Sequence, residues 1–445
     1  MILSSGAPAS RRIAALSIAG LIAVGAFWWT LNLFQVPAYG DTVEYWQLAD
    51  TLNIDSWRTL AYPLILRFFA GGDDSTLSRI PVYLLQTAIC LWSIYYLVAT
   101  LDIAARFRSD PVRTVLLVAG IAALPLAAHF SLTILTDSLA ASFFLLGIAA
   151  MARVFVMGRI TVSSVSVLAL GVVGSGLVRP ERMFPFLVLL ALFLLLAVIK
   201  RRRASGIVAI ALIASIALTV ALNRETQTAD VGRPQMSVSF MMFDRTVHGR
   251  AERLLPAMPD EVKERMPREE AVAWDNDPNR LIVLGRAFDD PEGQAAMREG
   301  SWVAMQEEGP QIVIQAIGDT VEYILAPLNY ARESAIHKPD PTHWTNTRMS
   351  GAFEHLTYAY IAYSILLMIV LIVLAIPHLG TTMRRGDVGR VTLLLVGAVL
   401  LLTMMYAGRT AYDFHIRYAL PIYLIEMAFL LWVAFPGETD SLQES

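Results

Sequence analysis

Asp41, Glu44 and Tyr45 stand at i, i+3 and i+4 in the segment GDTVEYWQLADTL. On a helix these positions share one face. A carboxylate placed there would take a proton from a hydroxyl or hold a cation. The simpler use is anchoring at an interface, with a favourable charge at a helix N-terminus. Arg58 and Tyr62 lie one helical turn apart in RTLAYPLIL, where Pro63 ends or restarts a helix. They would seat a guanidinium and a phenol on a phosphate or sugar, or else form part of an interfacial belt. Asp137 follows Thr136 at the head of a long apolar run, where helix capping is the simpler explanation. Arg179, Glu181 and Arg182 surround Pro180, and His415, Arg417 and Tyr418 open the last apolar run. The histidines lack metal-ligand spacing such as HExxH, and neither GxxxxGK[ST] nor GxSxG occurs.

The elements that must position these groups are membrane spans. Hydrophobic residues make up 56% of the 445-residue chain and charged residues 16%, against about 25% charged in soluble domains. That balance excludes a disordered chain and points to an all-α polytopic membrane protein. No diffuse basic surface for nucleic acid is present. The single cysteine, Cys90, lies in an apolar run, which excludes disulfides and a cysteine metal site within the chain. About ten spans are expected, near 13–34, 79–101, 112–130, 135–152, 160–178, 183–199, 205–222, 356–377, 390–408 and 416–435. One set of span ends carries 14 Lys and Arg, including the run Lys200-Arg201-Arg202-Arg203, and the opposite short loops carry 7. The richer side is read as cytoplasmic, with both termini inside and the first span uncleaved. Three regions follow: a module over 1–222 with a first outer loop at 35–78, an outer insertion over 223–355, and a module over 356–445.

The insertion is a different material. It holds 14 Lys and Arg against 22 Asp and Glu, with proline-started helical segments and no period-2 strand pattern. The stretch Pro310 to Leu325 has a broad apolar face, expected along the membrane surface or against the bundle. The chemically distinctive residues, from Asp41 to Asp137, Arg179–Arg182 and His415–Tyr418, fall in the outer loops or at outer span ends. Arg179, Arg182 and Arg417 run against the positive-inside trend there, which an anionic ligand such as a lipid phosphate would explain. Glu426 sits inside the last span and needs a partner, for packing or for function.

The order of motifs resembles the GT-C superfamily of integral-membrane glycosyltransferases. Asp41 follows the first span, R-x-x-x-Y-P (Arg58 to Pro63) comes later in that loop, and Thr136-Asp137 opens a later span. R-P-E (Arg179 to Glu181) and R-Y-x-x-P (Arg417 to Pro421) complete the set. The nearest likeness is to the protein O-mannosyltransferase and lipid A aminoarabinose transferase branch. Where that branch has a tandem Asp-Glu, this chain has Asp41-Thr42 with Glu44 offset.

The resemblance implies transfer of a sugar from a polyprenyl-phosphate donor to a hydroxyl of a glycan, lipid or protein acceptor. The site would face outward from a bacterial inner (plasma) membrane, in contact with membrane lipid. Interfacial helices are expected in the first outer loop. Asp41 would be the general base or an acceptor-orienting group, with Glu44 as the second catalytic candidate. Arg58, Tyr62, Asp137, Arg179, Glu181, Arg182, His415, Arg417 and Tyr418 would contact donor phosphate or sugar. Magnesium or manganese on Asp41, Glu44 or Asp137 is an alternative to one of the arginines. A transporter or flippase of lipid-linked sugars, or a ligase or polymerase using a lipid-linked oligosaccharide, are the competing readings.

Overall fold

The computed structural model describes residues 9–33, 40–52, 59–71, 75–158, 161–200, 203–226, 238–275, 284, 287–288, 290–325, 351–409 and 416–438. Among them the chain is helical and forms no strand. The order begins α1 (Ala9–Asn32), α2 (Gly40–Thr51), α3 (Ala61–Ala70), α4 (Thr76–Ala105), α5 (Pro111–Ala122), α6 (Pro125–Ser131), α7 (Thr136–Met157) and α8 (Val162–Val178). A 3-10 turn (Pro180–Arg182) leads into α9 (Met183–Lys200) and α10 (Arg203–Thr226). The insertion supplies α11 (Val238–Val247), α12 (Ala251–Leu254), α13 (Asp260–Arg265), α14 (Arg268–Asp275) and α15 (Pro291–Ile324). The chain returns through α16 (Gly351–Met383), α17 (Val388–Arg409) and α18 (Ile416–Ala434).

Among the described residues seven helices, α1, α4, α7, α9, α10, α16 and α17, are long and apolar enough to cross a membrane. The chain is therefore a multi-pass membrane protein in its architecture. α8 and α18 are apolar but shorter. The segment expected as a span over 112–130 is broken: α5 and α6 meet at 71°. The cause is local. Pro125 opens α6, and the residue before a proline avoids helical geometry, so Leu124 is extended at φ −69°, ψ 142°.

A break inside a bundle frees backbone groups that lipid cannot satisfy. Side chains supply the partners. Tyr360 donates its hydroxyl to Ala123 O. Gln86, fully buried on α4, donates through Nε2 to Ser131 O at 3.1 Å and to Thr133 O at 3.0 Å. Thr42 of α2 donates to Ile134 O at 3.2 Å. The broken segment is thus a built support that leads directly into α7.

α7 is the core of the bundle, buried along nearly its whole length between α4 and α8. Its small residues allow that. At the crossing with α8 a Cβ on Gly171 would stand 2.4 Å from Gly147 N, so only glycine fits. At the other end of the bundle, Asp102 accepts from Arg113 Nη1 and Trp432 Nε1, both at 2.7 Å, while Arg113 Nε donates to Phe435 O at 2.6 Å. Arg11 bridges Asp110 at 3.3 Å and Glu438 at 2.7 Å. These bonds tie α1, α4, α5 and the end of α18 together.

The insertion has its own apolar core, with Phe243, Trp274, Phe288 and Met297 buried together. Asp290 caps α15 by accepting from Gly293 N at 2.7 Å and also receives Arg265. α15 is two helices in one: Glu308 leaves helical geometry at φ −133°, ψ 21°, just before Gly309-Pro310. Its carboxylate there receives Arg250 at 3.2 Å and Arg253 at 2.5 Å.

Candidate functional site

The segment between α1 and α4 is fastened to the head of the bundle by α2 and α3. Besides the Thr42 bond, Tyr45 OH lies 3.3 Å from Thr136 Oγ1. The Tyr45 ring meets Tyr62 of α3 edge-to-face at 5.1 Å. Tyr62 is fully buried and donates to Gln86 Oε1 at 3.2 Å. Thr59 Oγ1 donates to Val178 O at 3.4 Å, and Arg79 of α4 lies over the Trp46 ring at 5.8 Å. Gln86 therefore holds both α3 and the segment that delivers α7. In the sequence Gln86 is signalled by being a polar residue inside an apolar run.

Helix capping does not explain Thr136 and Asp137. The N-cap of α7 is Leu135, which makes no side-chain cap. Both polar side chains turn instead to Arg179. That residue lies between α8 and the 3-10 turn in extended geometry, φ −144°, ψ 95°. Its Nε donates to Thr136 Oγ1 at 2.9 Å, its Nη2 to Asp137 Oδ2 at 2.9 Å and its Nη1 to Glu181 Oε1 at 3.0 Å. Pro180 opens the turn that brings Glu181 back to it. The guanidinium also lies 5.3 Å from the centre of the Tyr418 ring of α18. Tyr418 stacks on Tyr406 of α17 at 5.2 Å and 10°, and Tyr406 meets Tyr323 of α15 at 5.8 Å. In the sequence Tyr406 and Tyr323 each read as one more interfacial tyrosine.

Arg182 completes the cluster. It and Asp137 are both 0% exposed, and Arg182 Nη2 stands 4.0 Å from Asp137 Oδ1. Among the described residues, Arg182 Nε, Nη1 and Nη2 and Asp137 Oδ1 make no hydrogen bond. Buried donors of this kind ordinarily find an acceptor. The formal charges of Asp137, Arg179, Glu181 and Arg182 cancel, so attraction for an anion here would rest on local donors and not on net field. Asp137, between two guanidiniums, is poorly suited to a metal ion. Among the described residues no group of three or more His, Cys, Asp and Glu is assembled for one.

Of the residues expected at the site, Tyr62, Asp137, Arg179, Glu181, Arg182 and Tyr418 lie at this end of the bundle, joined directly or through Gln86, Tyr45 and Thr136. α2 carries Asp41, Glu44 and Tyr45 on one helix, with Tyr45 buried and Glu44 exposed. Asp41 occupies the first turn of α2 and Arg417 that of α18, and their side chains lie outside those described. Arg58 and His415 lie outside the described residues. No family model, no curated protein and no solved structure matches the chain.

Proposed function

We propose that this chain is a membrane glycosyltransferase of the GT-C kind, moving a sugar from a polyprenyl phosphate to an acceptor hydroxyl at the outer face. The observation that carries the reading is the Arg179 network. It joins the start of α7, the 179–182 turn and α18, and through Thr136 it reaches the first outer loop. Those are the segments whose motifs resemble the family, and they come to one end of one bundle. Counting the bent pair, α8 and α18 as crossings supports ten spans with both termini on one side, which the arginine counts mark as the cytoplasm.

In this reaction the anomeric C–O bond to phosphate breaks and its electron pair leaves with the phosphate. The acceptor oxygen forms the new bond from the opposite side, inverting the centre. Its proton passes to Asp41, which α2 holds at its N-terminal turn, where the helix dipole favours an ionised carboxylate. Polyprenyl phosphate departs without a strong acid, so the remaining need is for donors to its oxygens. Arg182, whose donors are unmet among the described residues, and Arg417 supply them. Arg179 acts through position, holding Asp137 and Glu181. A divalent cation is not required by this scheme.

A flippase for lipid-linked sugars is the second reading. The broken pair α5 and α6 favours it, because transporters use discontinuous helices. One experiment separates them. Purified protein in vesicles is given a defined polyprenyl-phosphate sugar and a hydroxyl acceptor. Release of polyprenyl phosphate with formation of a new glycoside supports transfer. Movement of intact donor between leaflets without either product supports the flippase.

A further inference from the structure

The second half of α15, from Pro310 to Leu325, has two unlike faces. One is tied to protein: Gln315 accepts from Arg250 Nη2 at 2.7 Å, Asp319 receives Arg245, and Ile312 and Tyr323 are buried. The opposite face, about 180° round the helix at 100° per residue, carries Val313, Ile314, Ile317, Val321 and Leu325. All five are exposed, Ile314 at 69%. Asp319 and Glu322 are the only charges in this stretch, and both fall on the tied side.

The height of the helix is set by Tyr323. It packs on Tyr406, the last residue of the apolar stretch of α17. Tyrosines at that level mark the boundary between hydrocarbon and headgroups. Below it, α17 leaves Leu393, Val396, Leu400 and Met404 uncovered by protein. The apolar face of α15 is therefore an extension, at the rim of the bundle, of a surface already suited to acyl chains.

We infer that the second half of α15 is an interfacial helix whose Val313–Leu325 face inserts among the acyl chains of the adjacent leaflet. It thereby fixes the insertion to the bilayer. The partner is lipid hydrocarbon and not anionic headgroups: the stretch holds no Lys or Arg, and residues 223–355 carry 22 acidic against 14 basic residues. The attraction is that of buried apolar area, so it persists in neutral lipid and at high salt. The inference is independent of the proposed transfer reaction.

Nitroxide labels test it on the full chain with Cys90→Ala. Single cysteines are placed at Ile314, Ile317, Glu307 and Leu393, and the protein is reconstituted in nanodiscs of neutral phosphatidylcholine. Labels at Ile314 and Ile317 are expected to match Leu393, relaxed by dissolved oxygen and shielded from an aqueous nickel chelate. Nickel access equal to that at Glu307 overturns the inference. So does shielding that appears only with anionic phosphatidylglycerol. Dipolar broadening that rises with the labelled fraction would assign the face to a second copy of the chain and overturn it as well.

Discussion

Arg179 and Asp137, 42 positions apart, are joined by a 2.9 Å bond from Nη2 to Oδ2, with both side chains withdrawn from solvent. The pair explains two oddities at once. An arginine is buried at the head of an apolar bundle because it has a buried carboxylate to meet. A carboxylate stands in the first turn of a buried helix because a guanidinium reaches it.

Removing one partner leaves the other charged and buried. Asp137→Ala is expected to destabilise the protein by about 3–5 kcal/mol, the usual cost of breaking a buried pair. Arg179→Ala should behave similarly, and the double variant should lose less than the sum of the two. Arg179→Lys keeps the charge but cannot serve Thr136, Asp137 and Glu181 together, so partial loss is expected. Thermal unfolding in detergent, followed by tryptophan fluorescence, measures all four. Additive losses would show that the two residues do not act as a pair.

Gln86 offers a second test, directed at the support beneath the site. Gln86→Leu leaves the carbonyls of Ser131 and Thr133 and the hydroxyl of Tyr62 without this partner. Each buried group left unmet costs about 1–3 kcal/mol. The loss should appear locally, as faster amide exchange over residues 131–137 than over α9 or α10. Uniform exchange throughout the bundle would show that Gln86 does not position this segment.

Seven of the ten expected spans are long apolar helices among the described residues, legible because apolar runs of bilayer length leave few alternatives. The gathering of polar residues at one end was legible from arginine counts, and Asp137, Arg179, Glu181 and Tyr418 do meet there. The 71° turn between α5 and α6 was not. Hydropathy averages over Leu124-Pro125, and a proline inside an apolar run is compatible with a kink or a straight first turn. The role of Thr136 was hidden for a related reason. A Thr-Asp pair before an apolar run looks like a cap whether or not an arginine from another loop is present. That Tyr45 is buried while Glu44 is exposed was hidden too, because spacing fixes angular position along one helix, while the neighbours decide which side is covered.

The insertion has its own acid limit. The Asp290 carboxyl is held down at about 2, chiefly by its bond from Arg265 and then by the backbone N–H of Gly293. A depressed carboxylate contributes stability that is present above its unfolded value, about 3.9, and is lost as pH falls through its folded value. Asp290→Asn should therefore loosen the insertion at neutral pH. Its difference from the native chain should shrink between about pH 4 and pH 2 and vanish below. Quenching of the buried Trp274 by acrylamide follows the change. A difference that stays constant across that window would separate Asp290 from the acid response.

Asp41 carries the largest chemical expectation. Gly40 and Asp41 begin α2, and within the next turn Thr42 and Tyr45 are bonded to Ile134 and Thr136, the residues that flank the N-cap of α7. The start of α2 is thus fixed against the head of the bundle, beside the Arg179 cluster. If Asp41 is the base, Asp41→Asn keeps size and hydrogen bonding but cannot accept the proton. Loss of a general base typically costs about 10²–10⁴ in rate, or about 3–5 kcal/mol at 1.36 kcal/mol per tenfold. Donor binding should survive, because the phosphate is held by arginines. Glu44→Gln should cost less, since Glu44 is exposed while its neighbour Tyr45 is buried. The measurement is transfer from a defined polyprenyl-phosphate sugar, with donor affinity and unfolding temperature recorded on the same preparations. A folded Asp41→Asn protein with native transfer rates would remove Asp41 as base and direct attention to Glu44, since Asp137 is already committed to Arg179.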